Sequence, residues 1–217
     1  MLDSVPAARL FDETMKLLLA GSAVSSFGTL VGLGLLPHLM PDVAAALAEA
    51  PDSPGARLLQ LGLENTDQRV RADKSVTPTF LFAVLLWPAI LRATGTPDGP
   101  LPEDPQLLSS ACDEVMSQQL RRIAVPKRFG LPMRDLLLMQ PRFERRSGRR
   151  ALRLLEHPKF RAAYDFLLLR AAAGEVDPEV AGWWTRLQEM PEEQRLAEVE
   201  SRPREAGDAA PRGRTRS

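Results

Sequence analysis

The feature that most constrains the fold is an unbroken apolar run in the middle of the chain. It covers residues 80–91 and contains Pro88. A membrane-spanning helix needs about 20 consecutive apolar residues, so this run is too short to cross a bilayer. A helix that is apolar on every side has to be enclosed by other elements. We therefore predict a buried central helix over residues 76–91, with Thr77 as the N-cap before Pro78.

The other segments also show helical periodicity, and none shows the period-two alternation of a strand. We predict an all-α fold, a bundle or array of about eight to ten helices. A last helix, capped by Asp177-Pro178, buries Trp183 and Trp184 on one face. Composition changes after residue 190, where few large apolar residues remain, so residues 191–217 are predicted to be a disordered tail. The other predicted helices cover residues 7–20, 24–34, 41–50, 57–63, 106–123 and 132–139, with a polar connector at 64–75 and a Pro/Gly loop at 95–105.

Charge is distributed unevenly along the chain although the formal net charge of the 217 residues is zero. Residues 1–60 carry a balance of −3, whereas residues 121–161 carry thirteen Lys or Arg against three acids. Such a concentration of positive charge favours a polyanionic partner. The single Cys112 excludes an internal disulfide framework, and we interpret it as a helix-packing residue. The first residues lack the pattern of a secretory signal, so we expect a cytoplasmic protein without a membrane span.

An arginine-rich helix is predicted near residue 150. On a helical wheel Arg146, Arg149, Arg150 and Arg153 fall within about 100°, and Ala151, Leu152, Leu154 and Leu155 occupy the other side. Pro158 is expected in the first turn of the next helix, which buries Phe160, Ala163, Tyr164 and Leu167. A solvated basic face is the alternative interpretation. With Arg145 the segment contains five arginines, and the two nearby acids, Glu144 and Glu156, cannot neutralise them all.

Guanidinium groups suit phosphate contacts and can stack on exposed bases, so three basic clusters are candidate nucleic-acid-binding sites. The clusters are Arg69, Arg71 and Lys74; Arg121, Arg122, Lys127 and Arg128; and Arg145, Arg146, Arg149, Arg150 and Arg153, with Lys159 and Arg161 beyond them. For the first of these clusters a set of surface salt bridges is an equally good interpretation, because three acids lie nearby.

The sequence contains no evident self-sufficient active site. It has no P-loop, dinucleotide fingerprint, zinc-protease motif or Cys/His cluster. His157 is interpreted as a capping or packing residue rather than a catalytic base. Gly21-Ser22 superficially resembles the opening of a nucleotidyltransferase site, but no carboxylate pair at i, i+2 follows to hold metal ions, and the next acid is Asp42. We therefore predict no catalytic and no metal-binding residues.

Four segments resemble the C-terminal half of bacterial poly(A) polymerases, the class that includes the CCA-adding tRNA nucleotidyltransferases. The resemblance covers about residues 5–190, and the arginine-rich segment is its most specific part. The segments read ARLFDETMKLLLAG, ENTDQRVRADKSVTPTFLFAVLLWP, RRIAVPKRF and RRSGRRALRLLEHPKFRAAYDFLLLRA.

The resemblance implies a division of the chain. Residues 1–20 correspond to the end of a neck helix, 21–94 to an RNA-binding helical body and 106–190 to an arginine-rich region. A full-length member would use ATP and Mg²⁺ in an N-terminal head, which is absent here, so no cofactor is expected in this chain. We expect a fragment, a mispredicted start or a split gene.

The resemblance implies the RNA-binding C-terminal part of a poly(A) polymerase, serving RNA 3′-end polyadenylation and RNA decay. The expected partner is RNA, either a single-stranded 3′ end or a tRNA-like molecule. The alternatives are an intact enzyme whose site is not evident, the body of a CCA-adding enzyme, and a scaffold that recruits RNA-decay proteins. We predict that the isolated chain does not add adenosines to RNA.

Overall fold

The computed structural model describes residues 6–202, and these residues form α-helices, one short 3₁₀ segment and no strand. The all-α class is confirmed, and the twelve α-helices within this range exceed the predicted eight to ten. The surplus includes the four-residue α3 and a C-terminal α12. The helices are α1 (Ala7–Leu18), α2 (Ala23–Gly32), α3 (Leu36–Leu39), α4 (Pro41–Glu49), α5 (Pro54–Arg71), α6 (Pro78–Ala93), α7 (Pro105–Arg122), α8 (Lys127–Leu138), α9 (Gly148–Leu155), α10 (Phe160–Ala172), α11 (Pro178–Glu189) and α12 (Glu192–Ser201), with the 3₁₀ segment at Gln140–Glu144.

The central helix α6 organises the core as predicted. Every residue from 81 to 91 is buried, and α4, α5, α7, α8 and α10 pack around the helix. Thr77 caps it by accepting a hydrogen bond from the backbone N–H of Phe80 at 3.3 Å. No helix in the described range has both the length and the apolar character needed to span a membrane.

Helix α5 is longer than the sequence predicted. It continues to Arg71, so most of the expected connector at 64–75 is helical. The contact with α6 is close enough that a Cβ placed on Gly62 would lie 2.4 Å from Cγ1 of Val84. This close packing stabilises a helix whose second half is polar and lacks a regular apolar pattern. Because that pattern is missing, the segment was predicted to be a connector, and this prediction was wrong.

Two buried polar residues in the second half of α5 have local and distant partners. The Thr66 hydroxyl donates to the carbonyl of Gly62 at 2.8 Å. The Asp67 carboxylate accepts from the backbone N–H groups of Ala23 and Val24, and so caps the N-terminus of α2. A carboxylate at a helix N-terminus satisfies unpaired donors and complements the helix dipole.

Two prolines lie differently from their predicted positions. Helix α8 begins directly after Pro126 and continues through Pro132, which therefore lies inside the helix rather than at its start. Pro158 precedes α10 in a turn and is not part of the helix. In that turn Nδ1 of His157 accepts from the backbone N–H of Lys159 at 3.1 Å, and no side chain caps the N-terminus of α10.

The C-terminal helices extend further than predicted. Asp177 caps α11 as expected, accepting from the N–H of Glu179 at 2.8 Å. Residues 192–201 were predicted to be disordered, but they form α12, which packs against α9. Val199 is fully buried, and Glu198 accepts from the indole N–H of Trp183 at 2.6 Å. Because so few residues of α12 are buried, the composition of this segment did not distinguish it from a disordered tail. Residues 203–217 of the predicted tail lie outside the described residues.

A buried ion pair joins α6, α10 and the 3₁₀ segment. The Arg170 and Glu175 side chains are 1% and 0% exposed, and Nε of Arg170 donates to Glu175 at 2.8 Å. Glu175 also accepts from the indole N–H of Trp87 at 2.7 Å, and Gln140 lies within 3.4 Å of the Arg170 guanidinium. The last arginine of the arginine-rich stretch is therefore part of the core.

Candidate nucleic-acid interface

Helix α9 presents an arginine face on an apolar anchor. Arg149, Arg150 and Arg153 are exposed, whereas Ala151 and Leu154 are fully buried. Leu152 and Leu155 are partly buried and also pack on the core. The face on α9 is therefore held in place by the packing of the opposite side, as the helical wheel predicted.

Arg146 does not belong to this face, and that prediction was wrong. Helix α9 starts at Gly148, whose φ of +63° interrupts the helical backbone, so Arg145 and Arg146 precede the helix. Nε of Arg146 is buried and has no hydrogen-bond partner in the described structure. The sequence could not show this, because the wheel assumed a continuous helix through residue 146.

Four arginines surround a depression of about 160 Å³, which we call the arginine cup. Its lining consists of Arg142, Arg145, Arg150 and Arg153. Within residues 6–202 no carboxylate forms a salt bridge with Arg142, Arg145 or Arg153. A guanidinium cluster of this kind suits phosphate oxygens. Arg142, from the 3₁₀ segment, was not among the predicted site residues, although it lies within the basic stretch 121–161.

A second depression of about 630 Å³, the large groove, lies between α5, α6, α8 and α10. Cations from distant parts of the sequence meet at its rim: Arg69 from α5, and Lys159 and Arg161 at the start of α10. Its apolar lining, which we call the floor, includes Phe80 and Leu168. The fold thus brings part of the first cluster next to the extension of the third, a proximity that sequence spacing could not reveal.

A third depression of about 460 Å³ connects the other two. It shares Pro158 and Lys159 with the large groove and Arg142 with the arginine cup, and His157 lies between them. Because adjacent depressions share lining residues, we treat the three together and call their combined lining the basic track. Its cations are Arg69, Arg161, Lys159, Arg142, Arg145, Arg150 and Arg153.

Local partners hold several cations of the track in position. Arg69 donates twice to the carbonyl of Ser75, at 2.9 and 3.2 Å. Lys159 forms a salt bridge with Asp135, and Arg161 forms one with Asp165 at 3.0 Å. Such exposed pairs contribute little stability, so a phosphate can compete with the carboxylates for them.

The remaining predicted site residues lie outside the lining of the track. Arg71 bonds to the carbonyl of Gly21 at 3.2 Å and lies 3.8 Å from Asp67, while Lys74 is exposed. Arg121, Arg122, Lys127 and Arg128 are exposed around the turn between α7 and α8. The Arg128 guanidinium stacks 4.8 Å from the Phe129 ring centre. Arg149 is on the exposed face of α9 but outside the cup.

Among residues 6–202 no group of three His, Cys, Asp or Glu is placed to hold a metal ion. Burial raises the pKa of the Cys112 thiol to about 12, so the thiol is neutral and serves in packing, as predicted. The groups that line the track are suited to electrostatic binding and stacking.

Comparison with known proteins supports the resemblance seen in the sequence. Residues 103–217 match the family model described as "Polymerase A arginine-rich C-terminus", and residues 1–47 match "Probable RNA and SrmB- binding site of polymerase A". The chain is 38% identical over 225 residues to Poly(A) polymerase I of Escherichia coli O6:H1, covering 100% of this chain and 46% of that protein.

Two further relatives show the same relation. Poly(A) polymerase I of Salmonella typhi is 37% identical over 212 residues, which are 94% of this chain and 45% of that protein. Poly(A) polymerase I of Haemophilus influenzae is 34% identical over 217 residues, which are 94% of this chain and 46% of that protein. The chain spans about half the length of the curated relatives it matches.

Proposed function

Because this chain belongs to the polymerase A family and matches its arginine-rich C-terminal model, we propose that it is the RNA-binding C-terminal part of a poly(A) polymerase. The observation that carries the proposal is the basic track, whose lining includes seven cations from α5, the 3₁₀ segment and the residue that follows it, α9 and the start of α10. Its role would be to hold RNA during 3′-end polyadenylation and the RNA decay that follows.

The physical basis of the proposal is neutralisation of RNA phosphates. Cations spread along a groove follow a sugar–phosphate backbone and release its counterions, which makes affinity dependent on salt. Roughly four to six phosphate contacts on single-stranded RNA give a log–log salt slope of about −3 to −4. Binding of this kind is expected to depend only weakly on base sequence.

We propose that adenylyl transfer requires a catalytic part outside this chain, with ATP and Mg²⁺ bound there. The described residues offer no metal-binding cluster to replace it. The relatives are named poly(A) polymerase I, which favours polyadenylation over CCA addition. We further propose a cytoplasmic site of action, where bacterial RNA 3′ ends are available.

A second role in recruiting RNA-decay proteins is favoured by one separate observation. An apolar groove of about 430 Å³ between α7 and α8 includes Leu120 and Leu131, which are 46% and 60% exposed. Lys127 also lines it. Exposed apolar surface of this kind is typical of a protein contact, and it is separate from the residues that line the track.

The test is fluorescence anisotropy with single-stranded RNA at several salt concentrations. The parent chain should show the slope given above. Replacing Arg145 and Arg153 with Ala should weaken binding to all sequences alike and flatten the slope by about 1.4 units, since each phosphate contact contributes about 0.7. The matched control replaces Arg9 and Arg186, which are exposed outside the track. Equal effects in both variants would mean that net charge alone controls binding.

A further inference from the structure

The large groove and the arginine cup differ in the ligand chemistry they can accommodate. The cup is lined by four arginines alone, so its charged groups suit phosphates. The large groove combines cations with an apolar floor that includes Phe80, Leu168 and Leu169. Phosphates gain nothing from such a floor, whereas the faces of nucleobases do.

The floor of the large groove is rigid and accessible. The Phe80 ring is partly exposed and packs edge-on against Phe166, with ring centres 6.0 Å apart and planes at 75°. Phe166 in turn packs edge-on against the buried Trp87 at 5.2 Å. Leu168 leaves 38% of its surface exposed. The volume of about 630 Å³ lies within the usual range of small-ligand sites, about 300–1,000 Å³.

Polar groups at the groove match the other parts of a nucleotide. Asn65 contributes an amide, which can donate to and accept from a base edge or a ribose hydroxyl. Arg69 lies on the α5 side of the groove, and Lys159 and Arg161 lie on the α10 side. A base on the floor would therefore have cations near the phosphates that flank it.

We propose that the large groove binds unpaired bases of single-stranded RNA, while the arginine cup holds phosphates further along the same strand. This inference rests on the proposed function and specifies its substrate. Bases in a duplex are stacked and paired, so they cannot enter the groove without being unpaired. The chain then distinguishes single-stranded from double-stranded RNA by base access, without reading the base sequence.

The test compares an adenosine oligonucleotide with an abasic ribose–phosphate oligonucleotide of the same length. Both present the same phosphates, so the difference in affinity isolates the bases. The parent chain should bind the adenosine oligomer at least about fivefold more tightly, the lower bound for one stacked base. Replacing Ala162, a partly buried residue of the groove lining, with Leu should narrow the groove and remove this preference without adding an aromatic ring on which a base can stack. Affinity for the abasic oligomer should not change, because no cation is removed.

A second variant, Leu168→Ser, alters an exposed floor residue and should reduce the preference even if Ala162→Leu fails to fold. Equal affinity of the parent chain for both oligomers, with the salt slope intact, would overturn this inference and leave the proposed function standing. Failure of both oligomers to bind at low salt would overturn the proposed function together with this inference. An undiminished preference in both folded variants would also contradict a base site in this groove.

Discussion

The buried ion pair between Arg170 and Glu175 should be a major determinant of stability. Glu175→Gln keeps the size of the side chain and an oxygen for the Trp87 indole, but it leaves the guanidinium uncompensated in the core. Removing one partner of a buried pair costs about 3–5 kcal/mol. The loss is a large share of the roughly 5–15 kcal/mol that stabilises a typical domain. For a chain of this size it corresponds to a decrease in melting temperature of roughly 6–20 °C.

Urea unfolding followed by far-UV circular dichroism and tryptophan fluorescence measures this effect. Glu49→Gln is the matched control, because the Glu49–Arg92 pair has the same chemistry at the surface, with side chains 58% and 41% exposed. That variant should leave the unfolding midpoint unchanged. The double variant Arg170→Met/Glu175→Gln should recover much of the stability, since it removes both buried charges. A loss below about 1 kcal/mol for Glu175→Gln, or a double variant no more stable than the single one, would refute this reasoning.

Two further predictions concern buried groups outside the basic track. Asp67→Ala should lower the free energy of unfolding by about 0.5–2 kcal/mol, because the first N–H groups of α2 lose their cap. Asp12→Ala is the exposed control for the same urea titration, and equal losses would deny the cap a role. The Cys112 thiol should resist thiol reagents at neutral pH until the protein is unfolded, because burial raises its pKa to about 12. In the unfolded chain the Cys112 thiol ionises near its usual pKa of 9.0, whereas in the folded protein it stays protonated at that pH. The free energy of unfolding should therefore decrease as the pH rises above 9.0. Rapid labelling of the native protein, measured by mass spectrometry, would contradict this prediction.

The sequence predicted the elements whose apolar residues follow a regular pattern. The run at residues 80–91 indicated the central helix, and the spacing of Trp183, Trp184 and Leu187 indicated the buried face of α11. The second half of α5 was missed because it is polar, and its buried Asp67 has its partners more than 40 residues away in α2. Periodicity within one helix contains no information about such a contact.

The candidate site was predicted only in part for a related reason. The arginine face of α9 follows from helical spacing and was found. The proximity of Arg69 to Lys159 depends on how α5 packs near α10, and the burial of Arg170 depends on Glu175 and Trp87. Arg146 was assigned to the exposed face because α9 was assumed to continue through residue 146. The left-handed backbone at Gly148 fixes where α9 starts, but the sequence does not show which glycines adopt this conformation.

Photo-crosslinking with single-stranded RNA that carries 4-thiouridine tests the central claim most directly. Peptides crosslinked to RNA are identified by mass spectrometry after digestion of the protein and the RNA. If RNA follows the basic track, crosslinks should concentrate in residues 65–80, 140–155 and 158–169, which line the three depressions. Crosslinks concentrated instead around Lys127 and Arg128, with the track unlabelled, would place the RNA site between α7 and α8 and contradict the account.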